Sequence, residues 1–156
     1  MSTTETIKAL TLTQPWASLV QRKAKRIETR SWYTGYRGAL VIHAAKGFPG
    51  ACKDLVDNPY FKDALGAATA VELPLGAGLC VCNLRACVKT SEIWKLKSRW
   101  FGFEMTPTEL AFGDFSERRY AWLLEWLYDF PEPLPAKGAL GLWNWPYPFV
   151  MQPGLR

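Results

Sequence analysis

The chain has 156 residues, 49% of them hydrophobic and 21% charged, with a formal net charge of +5. That length and balance lead us to expect one compact domain over residues 1–156, without internal repeats or low-complexity tracts. No run approaches the roughly 18 apolar residues of a membrane span, and the first ten residues lack a basic start followed by an apolar run, so a soluble, cytoplasmic protein with no membrane partner is expected.

Residues 7–13 alternate as a short strand, and Pro15 then sits where the first turn of a helix accepts a residue without an N–H. The helix is expected to run to about Arg22, with Trp16, Leu19 and Val20 at core-facing spacing. Strands follow at 27–32 and 39–44, separated by the turn-rich Thr34-Gly35-Tyr36-Arg37-Gly38. Residues 48–65 read as helical, interrupted at Asn58-Pro59, and 71–77 as a connector. A long strand at 79–88 carries Cys80, Cys82 and Cys87. In an apolar segment these behave as small hydrophobes, and four cysteines do not make a disulfide scaffold. A C-x-C spacing and one histidine, His43, are poor material for zinc, so no metal or other cofactor is expected.

A short helix capped by Thr90 or Ser91 is expected over 91–100, and 101–119 reads as an irregular functional loop. Residues 120–130 form the most apolar strand, hydrophobic on both faces and so interior to its sheet. Glu125 interrupts it, and pairing with a basic residue is the expected remedy. A last strand lies within 138–145. Six strands with two or three inserted helices, alternating too irregularly for a doubly wound parallel sheet, predict an α+β, mainly β fold built as a β-barrel.

Charge is unevenly distributed. Between Gln21 and Lys46 lie seven cations (Arg22, Lys23, Lys25, Arg26, Arg30, Arg37 and Lys46) and one acid, Glu28, with Trp32, Tyr33 and Tyr36 among them. The window carries +6 and the remainder −1, so the basic character is local. Cations interleaved with flat rings suit a nucleic acid, because Lys and Arg answer phosphates while rings stack on bases. On a strand, Glu28, Arg30 and Trp32 share one face and Ile27 and Thr29 the other. An acid, a guanidinium and an indole in a row would suit one nucleotide. His43, the only histidine, is expected to be packed and hydrogen-bonded.

The segments Leu12-Thr13-Gln14-Pro15-Trp16-Ala17-Ser18-Leu19, Lys25-Arg26-Ile27-Glu28-Thr29-Arg30-Ser31-Trp32, Tyr36-Arg37-Gly38 and Ile42-His43-Ala44-Ala45-Lys46 resemble the ASCH domain family, whose core motif is Gly-x-Lys-x-x-Glu-x-Arg. Weaker echoes occur at Arg119-Tyr120-Ala121-Trp122 and at Gly138-Ala139-Leu140-Gly141-Leu142-Trp143. Lys25, Glu28 and Arg30 fill the last three defined places of the motif, and Lys23 stands where its glycine usually is.

The resemblance implies a PUA-like β-barrel and a nucleic-acid-related role centred on a cleft beside the motif. The residues expected to bind RNA or single-stranded DNA there are Gln14, Trp16, Lys25, Glu28, Arg30, Trp32, Tyr33, Arg37 and Lys46. Two enzymatic alternatives come with the family. A ribonuclease would use Lys25, Glu28 and Arg30 as catalytic groups, and only then would a divalent metal enter. An N4-acetylcytidine amidohydrolase would need a Thr nucleophile where this chain has Glu28, with Glu104 the nearest match to its third group. A reader that leaves its nucleic acid intact is the expected class.

Overall fold

A computed structural model describes residues 4–96 and 105–150. In chain order its elements are β1 (Thr4–Glu5), β2 (Lys8–Leu12), α1 (Trp16–Gln21), β3 (Ile27–Arg30), β4 (Gly38–Ala44), α2 (Gly50–Asp54), α3 (Pro59–Ala64), β5 (Ala77–Lys89), α4 (Pro107–Phe112), β6 (Tyr120–Pro135), β7 (Leu142–Asn144) and β8 (Phe149–Val150). Short 3-10 segments occupy Leu55–Asp57, Ala70–Glu72 and Thr90–Leu96. The last opens the helix expected over 91–100, whose remainder, with Trp100 and Glu104, lies outside the described residues. Among the described residues no helix is long and apolar enough to cross a membrane.

Six strands form one mainly antiparallel sheet in the order β3-β6-β5-β4-β2-β7, curled into a half-barrel, while β1 and β8 pair separately. The parallel pair is β2 with β4, Ala9 lying opposite Val41, and the chain between them supplies α1 and β3 as the crossover. Curling has a visible cause: β5 pairs with β4 and β6 through several register shifts, and each such bulge bends and twists its strand. The apolar strand β6 lies between β3 and β5, as its two hydrophobic faces predict. Glu125 leans out of it to Arg85 at 3.1 Å, half exposed, so its charge is never buried.

Alternation along β4 feeds two cores. Leu40, Ile42 and Ala44 join Leu10, Leu12, Cys82 and Trp122, whereas Val41 joins Ala9, Val81 and Trp145 on the other face. Helix α1 plugs the concave side, placing Ala17 and Val20 in the first core and Leu19 in a third with Phe61, Leu65 and Phe112. It ends in a Schellman motif: Lys23 N–H reaches Val20 O and Ala24 N–H reaches Leu19 O. Lys23 accordingly has φ 64°. Glycine suits that left-handed position, and a side chain there costs about 1–2 kcal/mol. The motif's usual glycine thus has a backbone reason, and this chain departs from it at a strained position.

The β2, β4 and β7 strands are pinned by a polar chain. Trp143 Nε1 donates to Thr11 Oγ1 (3.0 Å), which faces His43 Nδ1 (3.1 Å), while His43 Nε2 meets Ala136 O (2.7 Å). A carbonyl only accepts, so Nε2 carries a proton, and in the neutral imidazole Nδ1 accepts from the Thr11 hydroxyl while the Thr11 oxygen takes the indole N–H. Burial lowers its pKa below the ordinary 6.5, with the Ala136 carbonyl opposing. The stabilisation from neutral His43 is therefore complete above pH 6.5 and is lost as pH falls through its depressed value. Denaturation midpoints should fall on acidification below pH 6.5, and His43→Gln should flatten that portion of the profile. Gly138 packs on the same pair, and a Cβ there would meet His43 Cε1 and Thr11 Oγ1, each at 2.8 Å. Gly138→Ala should lower stability by about 1–3 kcal/mol in chemical denaturation. Gly50→Ala, which meets nothing within 4 Å, should not.

Candidate functional site

Strand β3 begins where the turn after α1 delivers Lys25 inward. The Lys25 side chain is fully buried, and its ammonium donates to Ile27 O (2.6 Å) and Phe112 O (3.1 Å), 4.0 Å from Glu28 Oε1. One cation therefore ties the start of β3 to the end of α4. That helix starts at Thr106, whose hydroxyl accepts from Glu109 N–H, with Pro107 at the position that needs no donor. Glu109 is buried in turn. One of its carboxylate oxygens accepts from Arg26 N–H, and the other finds no hydrogen-bond partner among the described residues. Burial raises its pKa, while the Arg26 amide and the Lys25 charge act in the opposite sense.

Between β3, the end of β2 and the α4 C-terminus lies a cleft of about 470 Å³. Its walls include Thr11, Thr13, Trp16, Glu28, Arg30, Asp114 and Arg119. Glu28 is held by Thr29 N–H (2.8 Å) and stands 3.9 Å from Arg30 Nη2, too far for a hydrogen bond. Arg30 itself donates to Thr11 O across the mouth of the half-barrel (2.9 Å). A second pair faces it. Arg119 donates to Thr29 O and Asp114 O (both 3.2 Å) and lies 3.4 Å from the Asp114 carboxylate. Asp114 also accepts from the Ser116 hydroxyl and amide, which lowers its pKa. Two guanidiniums and two carboxylates cancel, so the cleft is formally neutral.

Of the residues predicted to bind, Trp16, Glu28 and Arg30 line this cleft, and Lys25 lies behind it without exposed surface. Gln14 sits one turn away but is engaged in the fold: its amide spans Ser18 Oγ (2.8 Å) and Pro74 O (2.9 Å) and accepts from Ser18 N–H (3.0 Å). The strand expected to reach Trp32 ends at Arg30, and Trp32 turns onto the core, edge-to-face on Trp122 at 4.7 Å. Exposed Tyr33, set against Tyr120, and Arg37, bonded to Thr34 O and Tyr36 O, lie on the β3–β4 loop. Lys46 lines a different, open cavity with His43, Lys137 and Gly138, which meets the cleft only at Thr11. Thr29 shares the cleft edge, its hydroxyl accepting from Asp114 N–H (3.1 Å).

Sequence reasoning missed Thr11, Thr13 and Asp114. It also missed α4, although Thr106-Pro107-Thr108-Glu109 has the S/T-x-x-E spacing of a helix start. The model for the ASCH domain matches residues 10–129. Activating signal cointegrator 1 of Homo sapiens is 55% identical over 40 residues, 26% of this chain and 7% of that protein. Its Mus musculus counterpart is 60% identical over 35 residues, 22% of this chain and 6% of that protein. The chain thus matches under a tenth of the length of these relatives. Among solved structures, ASCH from Zymomonas mobilis aligns with a TM-score of 0.45 at 14% identity, covering 82% of this chain and 72% of that one. A single-substitution variant of it aligns at 0.44 and 15%, covering 82% and 74%.

With the Lys25 ammonium removed, the Ile27 and Phe112 carbonyls would be left buried and unbonded. Lys25→Met should therefore lower stability by about 1–3 kcal/mol, read as a shifted denaturant midpoint.

Proposed function

The chain belongs to the ASCH domain family, and we propose that it binds RNA or single-stranded nucleic acid, receiving one base in the cleft between β3, β2 and α4. The observation that carries this reading is the cleft's neutrality. Arg30 and Arg119 supply forked donors, Glu28 and Asp114 supply acceptors, and Thr11 and Thr13 add hydroxyls. That mixture suits the edge of a base, which presents donors and acceptors but no charge. The size is within the range of small-ligand sites, about 300–1,000 Å³. Trp16, edge-on to Phe61 at 6.4 Å, offers an indole wall. Of the remaining cations of the basic window, Lys46 lies in the neighbouring cavity that shares Thr11 with the cleft.

The ribonuclease reading gives Lys25, Glu28 and Arg30 chemical roles, yet Lys25 has no exposed surface for a substrate and no imidazole lines the cleft. A reader fits better than a nuclease. The test is end-labelled single-stranded RNA, with and without magnesium, resolved in parallel on native and denaturing gels. The expected result is a shifted, intact probe, with Arg119→Ala and Glu28→Gln each weakening binding by roughly fivefold or more. Fragments that disappear in Glu28→Gln would replace the reading with ribonuclease. Undiminished binding by both variants would remove the cleft from it.

A further inference from the structure

A second cavity, of about 340 Å³, opens on the other side of Lys25, between the end of α1, the turn that follows it and residues 82–85 of β5 and 123–126 of β6. Its walls are apolar: Val20, Leu123, Leu124 and the indole of Trp126. The charged residues around it are Lys23, Lys25, Arg26 and Arg85 against Glu125. Since Lys25 is buried and engaged by carbonyls, the exposed rim carries three cations and one acid. Trp126 is fixed in orientation, its Nε1 donating to Asp129 Oδ1 (2.8 Å). Over its ring stands the Lys23 ammonium, 3.7 Å from the centroid. This is the lysine held at φ 64°, where the Schellman turn favours glycine.

We infer that this cavity is a second nucleotide subsite, in which a neighbouring base of the same strand packs against the apolar wall beside Trp126 and its phosphate is met by Lys23, Arg26 and Arg85. The inference rests on the cleft reading above and extends it along β3. An apolar, aromatic floor under a cationic rim is the composition that single-stranded nucleic acid uses, rings for bases and cations for the backbone. The two cavities differ in kind. The cleft is polar and neutral and reads a base edge, whereas this pocket is apolar and net positive and accepts any base. Arg26 immediately precedes β3 and Arg30 ends it, roughly 13 Å apart along an extended chain, a span that a short single strand covers. Lys25 forms the partition, lining this pocket while its ammonium sits beside Glu28 of the cleft.

Glycine is at home at position 23, so Lys23→Gly deletes the cation without endangering the fold. The experiment measures fluorescence anisotropy of a labelled single-stranded RNA decamer over a range of salt, beside competition by cytidine 5′-monophosphate. For the decamer, Lys23→Gly should weaken binding and reduce the log–log salt slope by roughly 0.7, one lost phosphate contact. Trp126→Leu should weaken it by roughly fivefold or more. The mononucleotide, which fills the cleft alone, should bind the wild type and Lys23→Gly equally. If Arg119→Ala weakens the decamer while Lys23→Gly changes neither affinity nor slope, the subsite is overturned and the cleft stands. A loss of mononucleotide affinity in Lys23→Gly overturns the division into two subsites. No binding by the wild-type protein overturns the cleft and the subsite together.

Discussion

A single buried ammonium organises this domain. Lys25 joins two backbone carbonyls, from Ile27 at the start of β3 and Phe112 at the end of α4, and stands beside the Glu28 carboxylate. An ammonium without water needs such partners, because desolvation alone would be prohibitive. The elements that satisfy it are the ones that frame the cleft. Arg30 then closes the mouth onto Thr11, and Glu109 anchors α4 to the Arg26 amide. The charge of the motif is thus divided between one residue that builds the site and two that line it.

That division separates two physical tasks. Inside the cleft, guanidiniums and carboxylates balance, leaving a polar surface without net charge, suited to selection by hydrogen-bond pattern under the proposed function. Outside it, Lys23 and Arg26 sit on the rim of the apolar pocket and Arg37 on the β3–β4 loop, while Lys46 lines the His43 cavity. Under the proposed function, charge placed there would attract a phosphate backbone over a distance set by ionic strength, while the cleft would decide what is read.

Much of this was legible in the sequence, and what was not has physical causes. Alternation placed Glu28 and Arg30 on one face of β3, but Thr29, read onto the face of Ile27, also reaches the cleft edge, and Trp32 lies beyond the strand and packs on the core; β6 read as interior from its two apolar faces. Family membership was legible from Lys25, Glu28 and Arg30 in their spacing. Burial was harder: nothing in a cation's identity says that Lys25 turns inward and Arg30 stays at the rim. Helix α4 is one and a half turns long between Pro and Gly, and its Thr106 and Glu109 signals were outweighed by those breakers. The two-residue strands β1 and β8 are too short for any period to register. Asp114 and Arg119 meet β3 only through tertiary packing, across more than eighty positions of sequence.

The central claim is that a base enters the cleft against Trp16. Ultraviolet crosslinking of bound single-stranded RNA, followed by digestion and mass spectrometric mapping of the nucleotide-bearing residues, tests it most directly. The cleft reading predicts an adduct at Trp16 that free cytidine 5′-monophosphate competes away. Adducts confined to exposed rings such as Tyr33 or Tyr147, with Trp16 unmodified, would contradict it.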